Sequence, residues 1–202
     1  MTTLTDADRG FFRANGYLTR DDWVGGDTLT RFQQLFDDDR ADTPYRWHRY
    51  GHHQQANYDA LVTTPAFDEV IRHPPIYAAI VELMGGPVCF GEIGARWMGP
   101  YEGPLHHGWH RDRKHWREHP LRMDYIQLML YLTDVGPDTH CFSISPEGID
   151  DEVVEEHDAQ LARGGIVDIH GAAGTVCLFN VSVLHTATTR PTQAERKTLQ
   201  IY

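Results

Sequence analysis

The spacing of apolar residues changes once along this chain, near Pro87. Before it, apolar residues recur at three and four positions, the helical period. Residues 4–15 read as a helix that Thr5 can cap, with Phe11 and Phe12 on its apolar side and Gly16 as its stop. Residues 27–38 carry Leu29, Phe32, Leu35 and Phe36 on one stripe and predict a second helix. Residues 40–60 are polar and irregular, with Tyr45, Trp47, Tyr50 and Tyr58 set among basic groups and histidines. Two more helices are expected over 67–73 and 75–84. Pro74-Pro75 separates them and Gly85-Gly86-Pro87 closes the second.

After Pro87 the period becomes two. Strands are expected over 88–98, 124–135, 141–145, 166–170, 175–180, 183–189 and 197–202. The pattern is clearest in 124–135, where Ile126, Leu128, Leu130 and Leu132 alternate with Tyr125, Gln127, Met129, Tyr131 and Thr133. The leucines should pack against the helices, and Gln127 and Tyr131 should face the interior of a barrel. The acidic stretch 150–163 reads as a helical or irregular insertion. Helices first and strands after predict an α+β fold, a double-sheet barrel with the N-terminal helices packed outside, as one domain over residues 1–202.

Composition narrows the partners. Net charge is −11 and the only lysines are Lys114 and Lys197, which argues against a nucleic-acid surface. No apolar run reaches the roughly 18–20 residues of a membrane span. The opening Met1-Thr2-Thr3-Leu4-Thr5-Asp6 has neither the basic nor the apolar part of a signal peptide. Cys89, Cys141 and Cys177 are far apart and odd in number, so they read as buried apolar residues of a cytoplasmic protein.

The candidate chemistry lies in Trp109-His110-Arg111-Asp112, which follows a loop rich in Gly, Pro and His. In an extended segment, positions two apart share a face, so His110 and Asp112 can converge. His185 is the best third ligand. It ends the strand-like run Leu178 to Leu184. Two histidines and a carboxylate on one face of a metal leave the other face open, as in non-haem Fe(II) oxygenases. Arg196 comes eleven residues later at the start of the last strand, and its planar fork suits a carboxylate. Trp97, Trp109 and Trp116 are candidate substrate-pocket residues. His52, His53, His115, His119, His140 and His157 read as surface residues; His106 and His107 lie close to the motif and could line the pocket, but read first as solvated loop residues. Asp168 and His170 form a second His/Asp pair with no third ligand in view.

Here the chain resembles the phytanoyl-CoA dioxygenase family of Fe(II)/2-oxoglutarate oxygenases. The resemblance runs from Asn15-Gly16-Tyr17 through His110-Arg111-Asp112, Tyr131-Leu132-Thr133-Asp134-Val135 and Ser143-Ile144-Ser145-Pro146 to His185 and Arg196. It implies a double-stranded β-helix, a cupin-like jelly roll. It implies Fe(II) held by His110, Asp112 and His185, and 2-oxoglutarate held by Arg196 with Tyr131, Gln127 and Thr186 nearby. O2 and a small-molecule substrate are the remaining partners. Hydroxylation with release of succinate and CO2 is the implied reaction, with no further catalytic side chain assigned. Asp112 argues against halogenation, which needs that carboxylate replaced. The chain departs from the family in places, among them the turn Pro146-Glu147-Gly148-Ile149. Ala187 stands where Ser is common, and the strand before the metal motif ends in Trp97-Met98 instead of a polar or basic residue. Two other classes stay open: a cupin-like Zn or Mn isomerase or hydrolase, and a non-catalytic barrel that binds a small ligand.

Overall fold

The computed structural model describes residues 4–202; Met1-Thr2-Thr3, part of the stretch read for a signal peptide, lies outside them. Helix α1 (Asp6–Asn15) starts on a capping box, with the Asp8 N–H on the Thr5 hydroxyl and the Thr5 N–H on the Asp8 carboxylate. It stops at Gly16 (φ 76°), whose N–H reaches the Phe12 carbonyl. A Cβ at Gly16 would come within 2.5 Å of Val183 Cγ2, so both conformation and space demand glycine. The chain turns there into β1 (Tyr17–Arg20), a strand that the sequence pattern did not predict. Helix α2 (Gly26–Asp42) is longer than its apolar stripe and buries Phe32, Leu35, Phe36 and Asp39. Short helices α3 (Ala60–Thr63) and α4 (Asp68–Ile71) lead to α5 (Pro74–Met84), which ends on Gly85 (φ 72°).

Residues 40–60 are not irregular. They hold the hairpin of β2 (His48–Tyr50) and β3 (Gln54–Asn57). Its anchor is polar, which is why no apolar pattern marked it. Asn57 Nδ2 donates to buried Asp39 at 2.8 Å, and Thr63 Oγ1 donates to the same carboxylate at 2.6 Å. That buried carboxylate is therefore satisfied, and it ties the hairpin to α2.

The remaining strands are β4 (Ile93–Met98), β5 (Ile126–Tyr131), β6 (Cys141–Ile144), β7 (Val167–Ile169), β8 (Val176–Asn180), β9 (His185–Thr188) and β10 (Arg196–Ile201). Helix α6 (His157–Gly164) lies between β6 and β7. The first of them starts five residues later than expected. The run 178–185 is two strands, because the Asn180 side chain accepts the Ser182 N–H and turns the chain. Seven strands form an antiparallel sheet in the order β1-β8-β5-β10-β4-β3-β2, and three form a second in the order β7-β6-β9. The segment 101–110 runs along β9 and its extension through bridges Tyr101–Thr192, His106–Thr189 and His110–His185.

The two faces of the large sheet do different work. Leu128, Leu130, Leu132, Val176, Leu178 and Leu199 pack outward with Phe32, Phe36, Phe67, Ile76 and Leu83 of the helical layer. Met129, Tyr131, Phe142, Ile144 and Phe179 pack between the two sheets. The alternation along β5 thus sorts its residues as expected, and the α+β jelly-roll architecture follows.

Candidate metal centre and cosubstrate cavity

The backbone brings the sequence-predicted ligands together. His110 and His185 exchange both N–H···O=C bonds, each 3.0 Å, and the Asp112 N–H reaches the Val181 carbonyl at 3.0 Å. Nitrogen and carboxylate oxygen atoms of His110, Asp112 and His185 all lie within 4.8 Å of one another. His110 Nδ1 is 2.6 Å from the Gly108 carbonyl and His185 Nδ1 is 2.8 Å from the Val183 carbonyl. A carbonyl only accepts, so Nδ1 donates in both rings and each Nε2 is turned to the Asp112 side, where it can serve a metal. His110 Nε2 is 3.4 Å from Asp112 Oδ1, and His185 Nε2 is 3.6 Å from Oδ2. Burial alone would raise the Asp112 carboxyl, but His110, His185 and the Tyr202 hydroxyl, 2.6 Å away, hold it far below the usual range. The neighbouring Asp112 carboxylate favours the protonated imidazolium of His110 and raises its pKa against the opposing effect of burial.

Arg111, between His110 and Asp112, points the other way and anchors the motif. It donates to the Ser182 carbonyl (2.6 Å), the Val154 carbonyl (2.9 Å) and buried Glu147 (2.5 Å). Burial would raise the Glu147 carboxyl, yet His115 and Arg111 pull it down. His115 is therefore no surface residue; its side chain is 8% exposed.

These three side chains open on a cavity of about 320 Å³ between the sheets. Arg196 lines it, is 1% exposed, and has no partner for Nε, Nη1 or Nη2 among the described residues. Burial pushes its pKa down. A buried guanidinium with five donors and no acceptor fits a carboxylate ligand, and the His-Asp-His set fits Fe(II). A family model described as phytanoyl-CoA dioxygenase matches residues 12–198.

The chain belongs to that family. Phytanoyl-CoA dioxygenases are non-haem iron, 2-oxoglutarate-dependent oxygenases, and the chain is an enzyme of that class. No curated protein matches it by sequence. Among solved structures it is similar to the α-ketoglutarate-dependent carbocyclase SnoK from nogalamycin biosynthesis, with 16% identity, TM-score 0.80, and coverage of 100% of this chain and 85% of that one. It is also similar to EctD from S. alaskensis, solved with 2-oxoglutarate and 5-hydroxyectoine, at 18% identity and TM-score 0.82. That match covers 99% of this chain and 76% of EctD. At these identities the likeness concerns the fold.

Within this phytanoyl-CoA dioxygenase fold, several expected site residues stand elsewhere. Gln127 and Thr186 do line the cavity. Gln127 donates to Gln200, and the Thr186 hydroxyl accepts the Gly108 N–H at 2.9 Å. Ala187 also lines it, so no hydroxyl is present at that departure from the family. Tyr131 faces inward but is not among the cavity-lining residues. Its hydroxyl donates to the Ile169 carbonyl (2.8 Å) and accepts the Phe142 N–H (3.2 Å), which gives it a structural task. Trp97 points to the helical layer, bonded to Glu195 (2.8 Å) and stacked under Arg40 (3.8 Å). Trp109 lies beside His107, opposite in phase to His110, and Trp116 is 46% exposed. None of the three tryptophans lines the cavity.

Residues missed by the sequence reading take their place. Arg96 on β4 and Tyr202 beyond β10 line the cavity, as do Tyr50, His52 and Gln54 of the β2–β3 hairpin; His106, which the sequence offered as a pocket alternative, lines it too. Alternation from Ala95 and Trp97 could have pointed to Arg96; the hairpin gave no apolar signal. His52 is exposed as expected, and its ring stacks at 3.9 Å on that of His106, which is half-buried. His140 is fully buried between the Gly99 carbonyl and the Arg190 N–H. Burial lowers its pKa to about 4. Cys89 is exposed, while Cys141 and Cys177 are buried as expected. The second His/Asp pair does meet a third group: Cys141, Asp168 and His170 lie within 4.8 Å. Arg190 occupies that cluster instead, 2.8 Å from Asp168 and 3.3 Å from the Cys141 sulfur.

Proposed function

We propose that this protein hydroxylates a small molecule, with His110, Asp112 and His185 holding Fe(II) and Arg196 holding the distal carboxylate of 2-oxoglutarate. Bound together, Fe(II) and 2-oxoglutarate supply the activation of O2 that places one oxygen atom on a C–H carbon and the other in succinate, with loss of CO2. The observation that carries the reading is the unpartnered Arg196 guanidinium in the cavity onto which the His-Asp-His group opens. An isomerase or hydrolase would leave that buried cation without a task.

The chain's own residues divide the labour. The Gly108 and Val183 carbonyls fix the tautomers of His110 and His185. Tyr202 orients the Asp112 carboxylate by its hydrogen bond. Phe142, Met129 and the packed layer behind them keep water from the inner end of the cavity. Residues 1–202 act as one catalytic domain, in the cytoplasm, where a reducing environment suits the free cysteines and ferrous iron. No described helix is long and apolar enough to cross a membrane.

The test is succinate formation that requires both Fe(II) and 2-oxoglutarate, with anaerobic titration of 2-oxoglutarate as an independent readout. Metal-dependent turnover without 2-oxoglutarate would replace this reading with the isomerase or hydrolase.

A further inference from the structure

The cavity holds a second guanidinium that the proposed chemistry does not use. Arg96 stands on β4 opposite Thr198 of β10, two residues along from Arg196 on the same inner face. Its Cζ lies 4.5 Å from the Tyr50 ring centroid and 5.6 Å from that of Tyr58. The two rings meet edge to face at 5.3 Å. Gly94 leaves room for this stack, since a Cβ there would come 3.1 Å from Tyr58 Cε1 and 3.5 Å from Arg96 Nε. Aromatic faces satisfy the flat sides of a guanidinium, but its N–H donors radiate in the plane and are left free. Arg96 Nε is buried without a partner, and no carboxylate bonds its Nη groups among the described residues.

Two cations in one cavity repel each other unless anions join them. On the reading above, 2-oxoglutarate brings two carboxylates. Arg196 takes one, and the other belongs at the metal. Arg96 is then left over, at the hairpin side of the cavity beside Tyr50, His52 and Gln54. We propose that Arg96 is the substrate-recognition residue and that the substrate is a small organic acid, its carboxylate gripped by the in-plane donors of Arg96. Tyr50 and Tyr58 hold the guanidinium in place, and the grip sets which C–H bond of the acid faces the metal.

This inference rests on the proposed use of Arg196 and the metal, and the experiment separates the two. The Fe(II)-loaded protein is titrated anaerobically with 2-oxoglutarate. With 2-oxoglutarate bound, acetate, butyrate and phenylacetate are compared with their neutral amides by the shift in thermal midpoint. At least one acid should raise the midpoint while its amide does not. Arg96→Gln should weaken that acid at least tenfold and leave 2-oxoglutarate affinity within twofold of wild type. Arg96→Lys, which keeps the charge and loses the fork, carries the same test should the glutamine variant not fold. The proposal is overturned if no acid shifts the wild type, if amides bind as well as acids, or if acids bind the Arg96 variants as they bind the wild type. It is also overturned if Arg96→Gln weakens 2-oxoglutarate as strongly as Arg196→Gln does, which would assign Arg96 to the cosubstrate. A wild type that binds no 2-oxoglutarate at all would refute the function proposed above instead.

Discussion

Arg196 carries a full charge into a buried place and meets no acceptor there among the described residues. Such a group destabilises the empty protein and stabilises the complex with its anion. Arg196→Lys keeps the charge and loses the fork, so 2-oxoglutarate affinity should fall about tenfold, on the order of 1.4 kcal/mol, with iron affinity nearly unchanged. Saturating 2-oxoglutarate should raise the wild-type thermal midpoint more than that of the lysine variant. The same shift in both variants would count against Arg196 as the anchor. His110→Ala, Asp112→Ala and His185→Ala should each abolish Fe(II) binding by equilibrium dialysis, because a three-ligand site rarely survives as two. Tyr131 faces inward as its alternation implied, but its task differs from the one the family resemblance implied. Tyr131→Phe strands the Phe142 N–H and the Ile169 carbonyl, so it should cost about 1–3 kcal/mol in denaturant unfolding and leave 2-oxoglutarate affinity unaffected.

Strand β5 is the element on which both layers depend. Its leucines face the helices and the odd-numbered residues between them face inward, with Gln127 and Met129 at the cavity, so one residue of slip would exchange core and site. Leu130 is fully buried, and Leu130→Ala should cost roughly 2–5 kcal/mol with cosubstrate affinity retained in the folded fraction. The turn from α1 into β1 is the other sensitive point. Gly16→Ala places a methyl group on Val183, two residues from His185, in a backbone conformation that L side chains rarely adopt. It should lower the midpoint of urea unfolding, and a midpoint equal to wild type would mean that α1 and Val183 move apart at no cost. The β2–β3 hairpin matters for a different reason. It brings Tyr50, His52 and Gln54 to the cavity, and its hold on the fold runs through the pairing of β3 with β4 and through Asp39 and Asn57.

At the scale of the whole molecule, stability should depend on pH on the acid side. His140 has a pKa of about 4 in the folded protein, against an ordinary 6.5, because burial disfavours its charged form. The folded state therefore binds fewer protons than the unfolded chain. The contribution is complete above pH 6.5 and is lost as pH falls toward 4, up to about 3 kcal/mol. Glu147 and Asp168, whose carboxyls are held below their usual range, add losses of the same sign at lower pH. His140→Gln, which can still donate to the Gly99 carbonyl, should flatten the fall in stability between pH 6.5 and 4 in denaturant titrations. An unchanged slope would remove His140 as its source.

Local rules determined much of this protein before any tertiary contact was known. The α1 capping box, the stop at Gly16, the alternation of β5 and the i, i+2 pairing of His110 with Asp112 are properties of neighbouring residues, so the sequence carries them directly. The eleven-residue step from His185 to Arg196 and the family motifs around it named the candidate site. Tertiary structure decided what depends on residues far apart. Whether a histidine is buried depends on which backbone meets it, and for His140 that is Gly99. Whether a tryptophan lines the cavity depends on which face of a strand turns inward, and on β4 Arg96 took that face while Trp97 went to the helices. The hairpin that completes the cavity is fastened by backbone pairing with β4 and by a buried carboxylate and an amide, polar contacts that leave no periodic trace along the chain.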